Sequence, residues 1–303
     1  MKKLLRRINR YLRALPEIVR LCSWLLRREE ILVPTFGSYG DLLMVNGVLL
    51  EYAALKKKRL KVVIKDPILS YNLRFIENLL FSRPVYYLAI RLSRYYSKIR
   101  LLNYGAIDED KENHLMQRIA LRLDFQLSSG FSPFYLIDIK RDQIKTIDKD
   151  NKKVIAFQST ATKNAYKNWD TGRLQEVVEI LNKDYITIQI GTSIDYKLPV
   201  QHHFEGDLNI RQSLYLISQV DLFVGTEGAL MHGAKSLSIP AVIIFGGFIH
   251  PMNSGYEGIY ALKSNIHCAP CLRKTGCPYE VACMREITKD QVFLAILDVL
   301  NKA

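Results

Sequence analysis

The sequence predicts an α/β protein: two Rossmann-like, doubly wound halves facing a cleft, preceded by a basic amphipathic helix. Three observations carry this. From Ile31 onward, short apolar runs alternate with amphipathic stretches, and a second such alternation starts at Val154. Between them lies RDQIKTIDKDNKK (141–153), polar and charged, which reads as a linker. The apolar runs are five to eight residues long and bounded by turn residues, the pattern of strands buried on both faces of a parallel sheet. The expected boundaries are a helix over 1–30, a first half over 31–150 and a second over 151–303.

The opening segment, MKKLLRRINRYLRALPEIVRLCSWLLRR, begins with basic residues like a signal peptide. Its apolar run is broken throughout by arginine, and no small-residue cleavage site follows. No stretch in the chain reaches the roughly 18–20 apolar residues that span a bilayer. Leu4, Leu5, Ile8, Leu12, Leu15, Ile18 and Val19 recur at helical spacing, interrupted once by Pro16. Such a helix can lie on an anionic membrane or pack as an ordinary surface helix.

The first half opens with ILVPTF (31–36) as a buried strand, a glycine turn GSYGD (37–41), a helix through 42–57 and a second strand at 60–65. Strand, glycine turn, helix, strand is the start of a parallel sheet. The stretch 67–130 is rich in Tyr, Arg and Leu and reads mostly as helix. Its segment RLSRYYSKIRLL (91–102) is either a solvated face or one turned to lipid or acceptor. FYLIDI (134–139) reads as a strand.

In the second half, VIAFQ (154–158), YITIQIG (185–191), DLFVG (221–225) and PAVIIFGG (240–247) read as strands. The helices fall at 170–182 with Asp170 as N-cap, at 210–220, at 228–238 and at 287–302.

The chain has 303 residues, 49% of them hydrophobic, enough to bury the cores of one or two domains. A formal charge of +13 favours anionic partners: nucleic acid, anionic lipid or phosphorylated substrates. Of five cysteines, Cys268, Cys271, Cys277 and Cys283 fall in one short loop, unlike the dispersed pattern of a secreted disulfide scaffold. A reduced, cytoplasmic setting is expected.

Four segments have residues suited to chemistry. Asp41 sits where the GSYGD turn enters its helix, at the strand end where α/β proteins bind ligands, or it merely caps the helix. In FQSTATKNAYKNW, Ser159, Thr160 and Lys167 offer hydroxyls and a cation to a phosphate, or form a solvated loop over a packed Trp. In GTEGALMHGA, Glu227 can accept ribose hydroxyls or cap the helix, Gly228 and Ala229 open it, and His232 lies one turn in. A histidine there is usually a core or supporting residue. The four loop cysteines suit tetrahedral zinc or iron, with free thiols and disulfides as alternatives.

In this order, the GD turn, the ST…KNW loop, TEGALMHGA, PAVIIFGG and the cysteine loop ending CMREIT resemble glycosyltransferase family 9. That family includes the lipopolysaccharide heptosyltransferases and adopts the GT-B architecture. The resemblance implies Asp41 as general base; Ser159, Thr160 and Lys167 on the donor diphosphate; and Glu227, Gly228, Ala229 and His232 around the donor nucleotide. It departs from the family's D-[ST]-G-x-x-H turn in having Glu227 for Asp and Gly228-Ala229 for Ser/Thr-Gly, which removes one hydroxyl. The activity implied is inverting transfer of heptose or a related sugar from a nucleotide-diphosphate donor to lipopolysaccharide or another surface glycan. No cofactor is expected at the reacting centre, with any zinc or iron on the cysteine loop structural. Expected partners are the nucleotide sugar, a glycolipid or glycan acceptor and an anionic membrane surface at the inner face of the cytoplasmic membrane, with no nucleic acid. The rival readings are a sugar-nucleotide epimerase of the same fold and a non-catalytic nucleic-acid-binding protein with a cysteine finger.

Overall fold

A computed structural model describes residues 2–105, 112–144, 147–160, 164–273 and 275–302. Ala161, Thr162 and Lys163 of the phosphate-loop expectation, residues 145–146 of the linker and the side chains of Leu4, Leu5 and Ile8 lie outside what it describes. The chain divides into two compact units. One holds residues 1–105 and 116–131, and the other holds 106–115 and 132–303.

The first unit begins with α1 (Lys2–Leu26), which runs unbroken through Pro16. It continues with β1 (Ile31–Pro34), α2 (Tyr39–Lys56), β2 (Leu60–Val63), β3 (Ile76–Leu80), α3 (Arg83–Leu92), β4 (Ile99–Leu102) and α4 (Leu115–Leu121). Its four strands are all parallel, in the order β3-β2-β1-β4. The expected N-terminal helix is part of this unit: Ala14, Leu21 and Trp24 are buried in one core with Ile31, Val33, Leu80, Val85 and Ala89. Glu17 Oε2 accepts the backbone N–H groups of Phe81 and Ser82, so α1 grips the chain just ahead of α3.

Two strands, β3 and β4, lie in the stretch read as mostly helix. Their sequences, IENLL and IRLL, interrupt the apolar run with charged or polar residues, and such short mixed segments do not separate a buried strand from a helical segment.

The second unit adds α5 (Ile139–Asp142), β5 (Val154–Phe157), a 3₁₀ turn (Ala165–Lys167), α6 (Thr171–Leu181), β6 (Ile186–Gln189), β7 (His202–His203) and α7 (Ile210–Ile217). Then come β8 (Leu222–Thr226), α8 (Ala229–Ser236), β9 (Ala241–Gly246), α9 (Pro251–Ser254), β10 (Ile259–Lys263), α10 (Ala282–Arg285) and α11 (Lys289–Lys302). Six parallel strands stand in the order β10-β9-β8-β5-β6-β7. Alternate residues Ile155, Phe157, Leu222, Val224, Val242 and Ile244 share a core with α6 and α11, as period-two side chains on one sheet face must. Asp170 caps α6 as expected, accepting the Arg173 N–H at 2.8 Å.

FYLIDI forms no strand. Its backbone groups are taken elsewhere: the Asp138 N–H donates to Asp142 Oδ2 at 2.7 Å, and the Leu136 carbonyl accepts Arg211 at 3.2 Å. Nor is all of 141–153 a solvated linker. Asp142 is fully buried and holds Arg211 through two bonds of 2.6 and 2.8 Å, while the Tyr135 hydroxyl donates to it at 2.6 Å. Burial pushes the Asp142 carboxyl up, but Arg211, Tyr135 and the Asp138 N–H together hold it below the usual range. This clamp, made with a residue 69 positions away, groups 132–144 with the second unit rather than with a boundary at 150.

Residues 112–115 join the same unit through His114, whose buried ring packs 5.1 Å from that of Tyr256. The Asn113 carbonyl accepts Asn253 Nδ2 at 3.2 Å. Burial, and to a lesser degree His232, push the His114 imidazole down to about 4.

Asp142→Ala leaves a buried guanidinium without its counter-ion, so unfolding free energy falls by about 3–5 kcal/mol, read as a lower urea midpoint; an unchanged midpoint would remove the clamp. His114 is neutral when folded and takes up its proton first when unfolded. Its stabilisation is therefore complete above about pH 6.5 and drains away, on the order of 3 kcal/mol, as pH falls toward 4. His114→Phe, which keeps a ring against Tyr256, flattens that part of the pH–stability curve.

Candidate functional site

Each unit gathers candidate residues at the place where its strand order reverses. In a parallel sheet, the connections on either side of such a reversal leave on opposite faces, and the loops splay into a crevice beyond the strand C-termini.

In the first unit the reversal lies between β1 and β4. A recess of about 490 Å³ opens there, lined by Thr35, Phe36 and Gly37 after β1, Asn103, Tyr104 and Gly105 after β4, and Asp41 from the first turn of α2. Ser38, not Asp41, is the N-cap of α2: its hydroxyl accepts the Asp41 N–H at 3.2 Å and donates to Asp41 Oδ2 at 2.6 Å. Tyr104 donates to Asp41 Oδ1 at 3.2 Å, and its ring lies 5.0 Å from that of Phe36. Two hydroxyls therefore hold a half-buried carboxylate at the recess, between the two strands of the switch point. The sequence singled out Asp41 but not Tyr104, whose only signal is its place just after a strand that was itself read as helix.

In the second unit the reversal lies between β5 and β8, and the predicted residues gather there. Lys167, in the 3₁₀ turn after β5, is ion-paired to Glu227, which follows β8. The Lys167 ammonium also stands 4.6 Å from the centre of the Phe248 ring. Glu227 is buried, and Ser254 Oγ donates to its Oε1 at 2.7 Å. Burial raises the Glu227 carboxyl, but Lys167 and then His232 outweigh it and keep the group below the ordinary carboxylate range. Gly228 is the extended N-cap of α8, and space around its Cα is open. Ala229 begins the helix, whose first-turn N–H groups and dipole favour an anion.

His232 is buried and makes its contact at Nδ1 with the Tyr256 hydroxyl, 2.7 Å away; its Nε2 is 3.8 Å from Glu227 Oε1. It is a supporting residue behind Glu227. Glu227 itself, with one oxygen on Lys167 and the other on Ser254, is engaged within the site.

The two predicted hydroxyls differ. Ser159 is buried, donates to the Tyr196 carbonyl at 2.8 Å and accepts from Gln189 at 3.3 Å, so it ties the β5 loop to the β6 loop. Thr160 is half-buried and lies 3.2 Å from the Ser159 hydroxyl. Trp169 packs in the core beneath this loop, its indole N–H bonded to the Ile287 carbonyl at 3.0 Å.

Ser254, Tyr256 and Asp195 are additions that motif reading missed. The first two follow β9; their signal is that every loop at the C-terminal edge of a parallel sheet can reach its switch point. Asp195 follows β6. Burial raises its carboxyl, Thr192 donates to Oδ1 at 2.7 Å, and Oδ2 has no hydrogen-bond partner among the described residues.

The cysteine loop is seated on the β9 end. Gly246 adopts a left-handed φ of +58°, and a side chain there would meet Met284 Sδ at 2.4 Å; one at Gly247 would meet Cys283 Cβ at 2.9 Å. Cys283 is buried, and burial together with the neighbouring Cys271, Cys268 and Cys277 pushes its thiol up. The Val281 and Tyr279 N–H groups hold the Cys277 thiol down. Among the described residues, no group of three or more His, Cys, Asp or Glu side chains is gathered closely enough to hold a metal ion.

Comparison with known structures shows the same fold. ADP-heptose lipopolysaccharide heptosyltransferase II of E. coli superposes with a TM-score of 0.66 at 14% identity, covering 90% of this chain and 99% of that one. A glycosyl transferase family 9 protein of Veillonella parvula gives 0.65 at 13% identity over 91% and 98% of the two chains. The iron-containing dodecameric glycosyltransferase TibC of enterotoxigenic E. coli gives 0.69 at 16% identity over 90% and 77%. No curated protein matches by sequence. The model of glycosyltransferase family 9 (heptosyltransferase) matches residues 106–281, more than half the chain, spanning Lys167, Glu227, Cys268, Cys271 and Cys277 but neither Asp41 nor Cys283. The chain belongs to glycosyltransferase family 9.

Proposed function

We propose that the chain is an inverting transferase that moves heptose or a related sugar from a nucleotide-diphosphate donor to lipopolysaccharide or another surface glycan. One observation supports this above the others: the carboxylate and the cation that such a transfer needs each stand at the switch point of their own parallel sheet. The solved heptosyltransferases with the same fold, one of them, TibC, bound to ADP-D-β-D-heptose, favour a nucleotide heptose as donor.

In this reading Asp41 takes the proton from the acceptor hydroxyl as it attacks the anomeric carbon, held in its pose by Ser38 and Tyr104. The departing nucleoside diphosphate gains negative charge. Lys167 and the N-terminus of α8 at Gly228 and Ala229 stabilise it, with Thr160 as the hydroxyl donor. Ser159 and His232 position this machinery through Tyr196, Gln189 and Tyr256. The hydroxyl missing at Gly228 leaves the backbone N–H groups of α8 to bind the phosphate. The family membership argues against the nucleic-acid-binding reading. The acceptor is a glycolipid or glycan presented at the cytoplasmic face of a membrane, where the chain works as a peripheral protein.

We also propose that Cys268, Cys271, Cys277 and Cys283 close around a structural zinc or iron. Four soft thiol donors within one short loop suit either metal, and the iron content of TibC favours iron. The metal would lock the loop against β9 and take no part in the transfer.

Two variants separate the roles in the transfer. Asp41→Asn lowers kcat by about 10²–10⁴ with donor affinity kept, whereas Lys167→Ala weakens nucleoside-diphosphate binding about tenfold to a hundredfold by calorimetry. Full turnover by the first, or unchanged affinity in the second, refutes the corresponding role. Elemental analysis of purified protein should find zinc or iron in amounts equal to the chain, and much less in Cys283→Ser; metal-free native protein would rule the centre out.

A further inference from the structure

The core face of α1 is Ala14, Leu21 and Trp24, all buried. A helix that only packed on its domain would show polar residues elsewhere. Instead Leu12, Leu15, Val19 and Leu26 are 63, 53, 61 and 86% exposed, and Tyr11 is 59% exposed. With Cys22, also exposed, positions 12, 15, 19, 22 and 26 recur at alternating intervals of three and four. They form one apolar stripe along the helix, distinct from the packed face.

Arg13, Arg20 and Arg27, seven residues apart, form an exposed line on one flank of that stripe, and none makes an ion pair among the described residues. The only acid in the helix, Glu17, is spent on the start of α3. No described helix is long and apolar enough to cross a membrane.

We propose that this outer face of α1 is a docking surface for an anionic bilayer. The helix lies in the headgroup plane with Leu12, Leu15, Val19 and Leu26 inserted, and Arg13, Arg20 and Arg27 reach lipid phosphates. An amphipathic helix of low hydropathy with arginines beside an apolar stripe binds an interface in this way. A second copy of the chain fits less well, because two such faces would bring arginine lines together without acids to neutralise them. The inference deepens the membrane placement proposed above. It does not depend on the sugar or on the reaction.

The test is flotation of the purified full-length chain with vesicles of phosphatidylcholine alone or with phosphatidylglycerol. The chain should float with the anionic vesicles and stay behind with the neutral ones. Leu12→Ser/Leu15→Ser/Val19→Ser should reduce partition about a hundredfold, and each of Arg13→Gln, Arg20→Gln and Arg27→Gln about fivefold. All these side chains are exposed, so circular dichroism and the melting temperature stay as in the parent. Failure of the parent to bind anionic vesicles, or equal binding by the triple serine variant, overturns the proposal. So does a triple serine variant that binds vesicles normally but turns from dimer to monomer. No donor is present and no transfer is read, so a negative result leaves the transferase reading standing.

Discussion

The structure depends on where each parallel sheet reverses its strand order. A chain that adds strands first to one side of its opening strand and then to the other must send its crossovers over opposite faces. The loops that leave the two central strands cannot fill the space between them. In the first unit those strands are β1 and β4, and in the second β5 and β8. The recess at Asp41 and the Lys167–Glu227 pair follow from this single topological fact, stated twice in one chain.

The two buried ion pairs of the second unit show how similar residues serve different ends. Asp142 and Arg211 meet in a two-bond pair, with the Tyr135 hydroxyl and the Asp138 N–H donating to the carboxylate and the Leu136 carbonyl accepting from the guanidinium. Every partner is internal, and the result is a fixed joint. Lys167 and Glu227 lie beside the open end of α8, with an aromatic ring on one side of the ammonium. There the positive charge is paired with a carboxylate at the same helix start. An arriving anion would compete for that cation in a setting where hydrogen bonds to charge are strong.

The βα alternation of the second half was legible because its strands sit in continuous apolar runs, with β5, β8 and β9 buried throughout. The candidate residues were legible for a related reason: Glu227 and Gly228 directly follow the apolar run of β8, and Lys167 lies in the loop that leaves β5. Legibility failed where local pattern and tertiary partner disagree. FYLIDI has the composition of a strand, but its carbonyls and amides are claimed by Arg211 and Asp142, which no local window contains. β3 (IENLL) and β4 (IRLL) are broken by charged or polar residues, so no continuous apolar run marks them. Ser159 was read as a phosphate ligand from its type and place, yet its hydroxyl is held by the carbonyl of Tyr196 in a neighbouring loop. Asp195 was passed over because nothing in GTSIDY marks it before the loop folds and encloses it.

The joint between α1 and its sheet has a mechanical consequence. Trp24 and Leu21 are set in the same core as β1, and Glu17 grips the start of α3. The outer side of that helix therefore keeps a constant orientation to the loop that displays Asp41, since β1 leads directly into it. Whatever α1 rests upon, the acceptor would be met at one height and one tilt. On an anionic surface the helix would act as a rigid foot, where a flexible tether would let the enzyme roam.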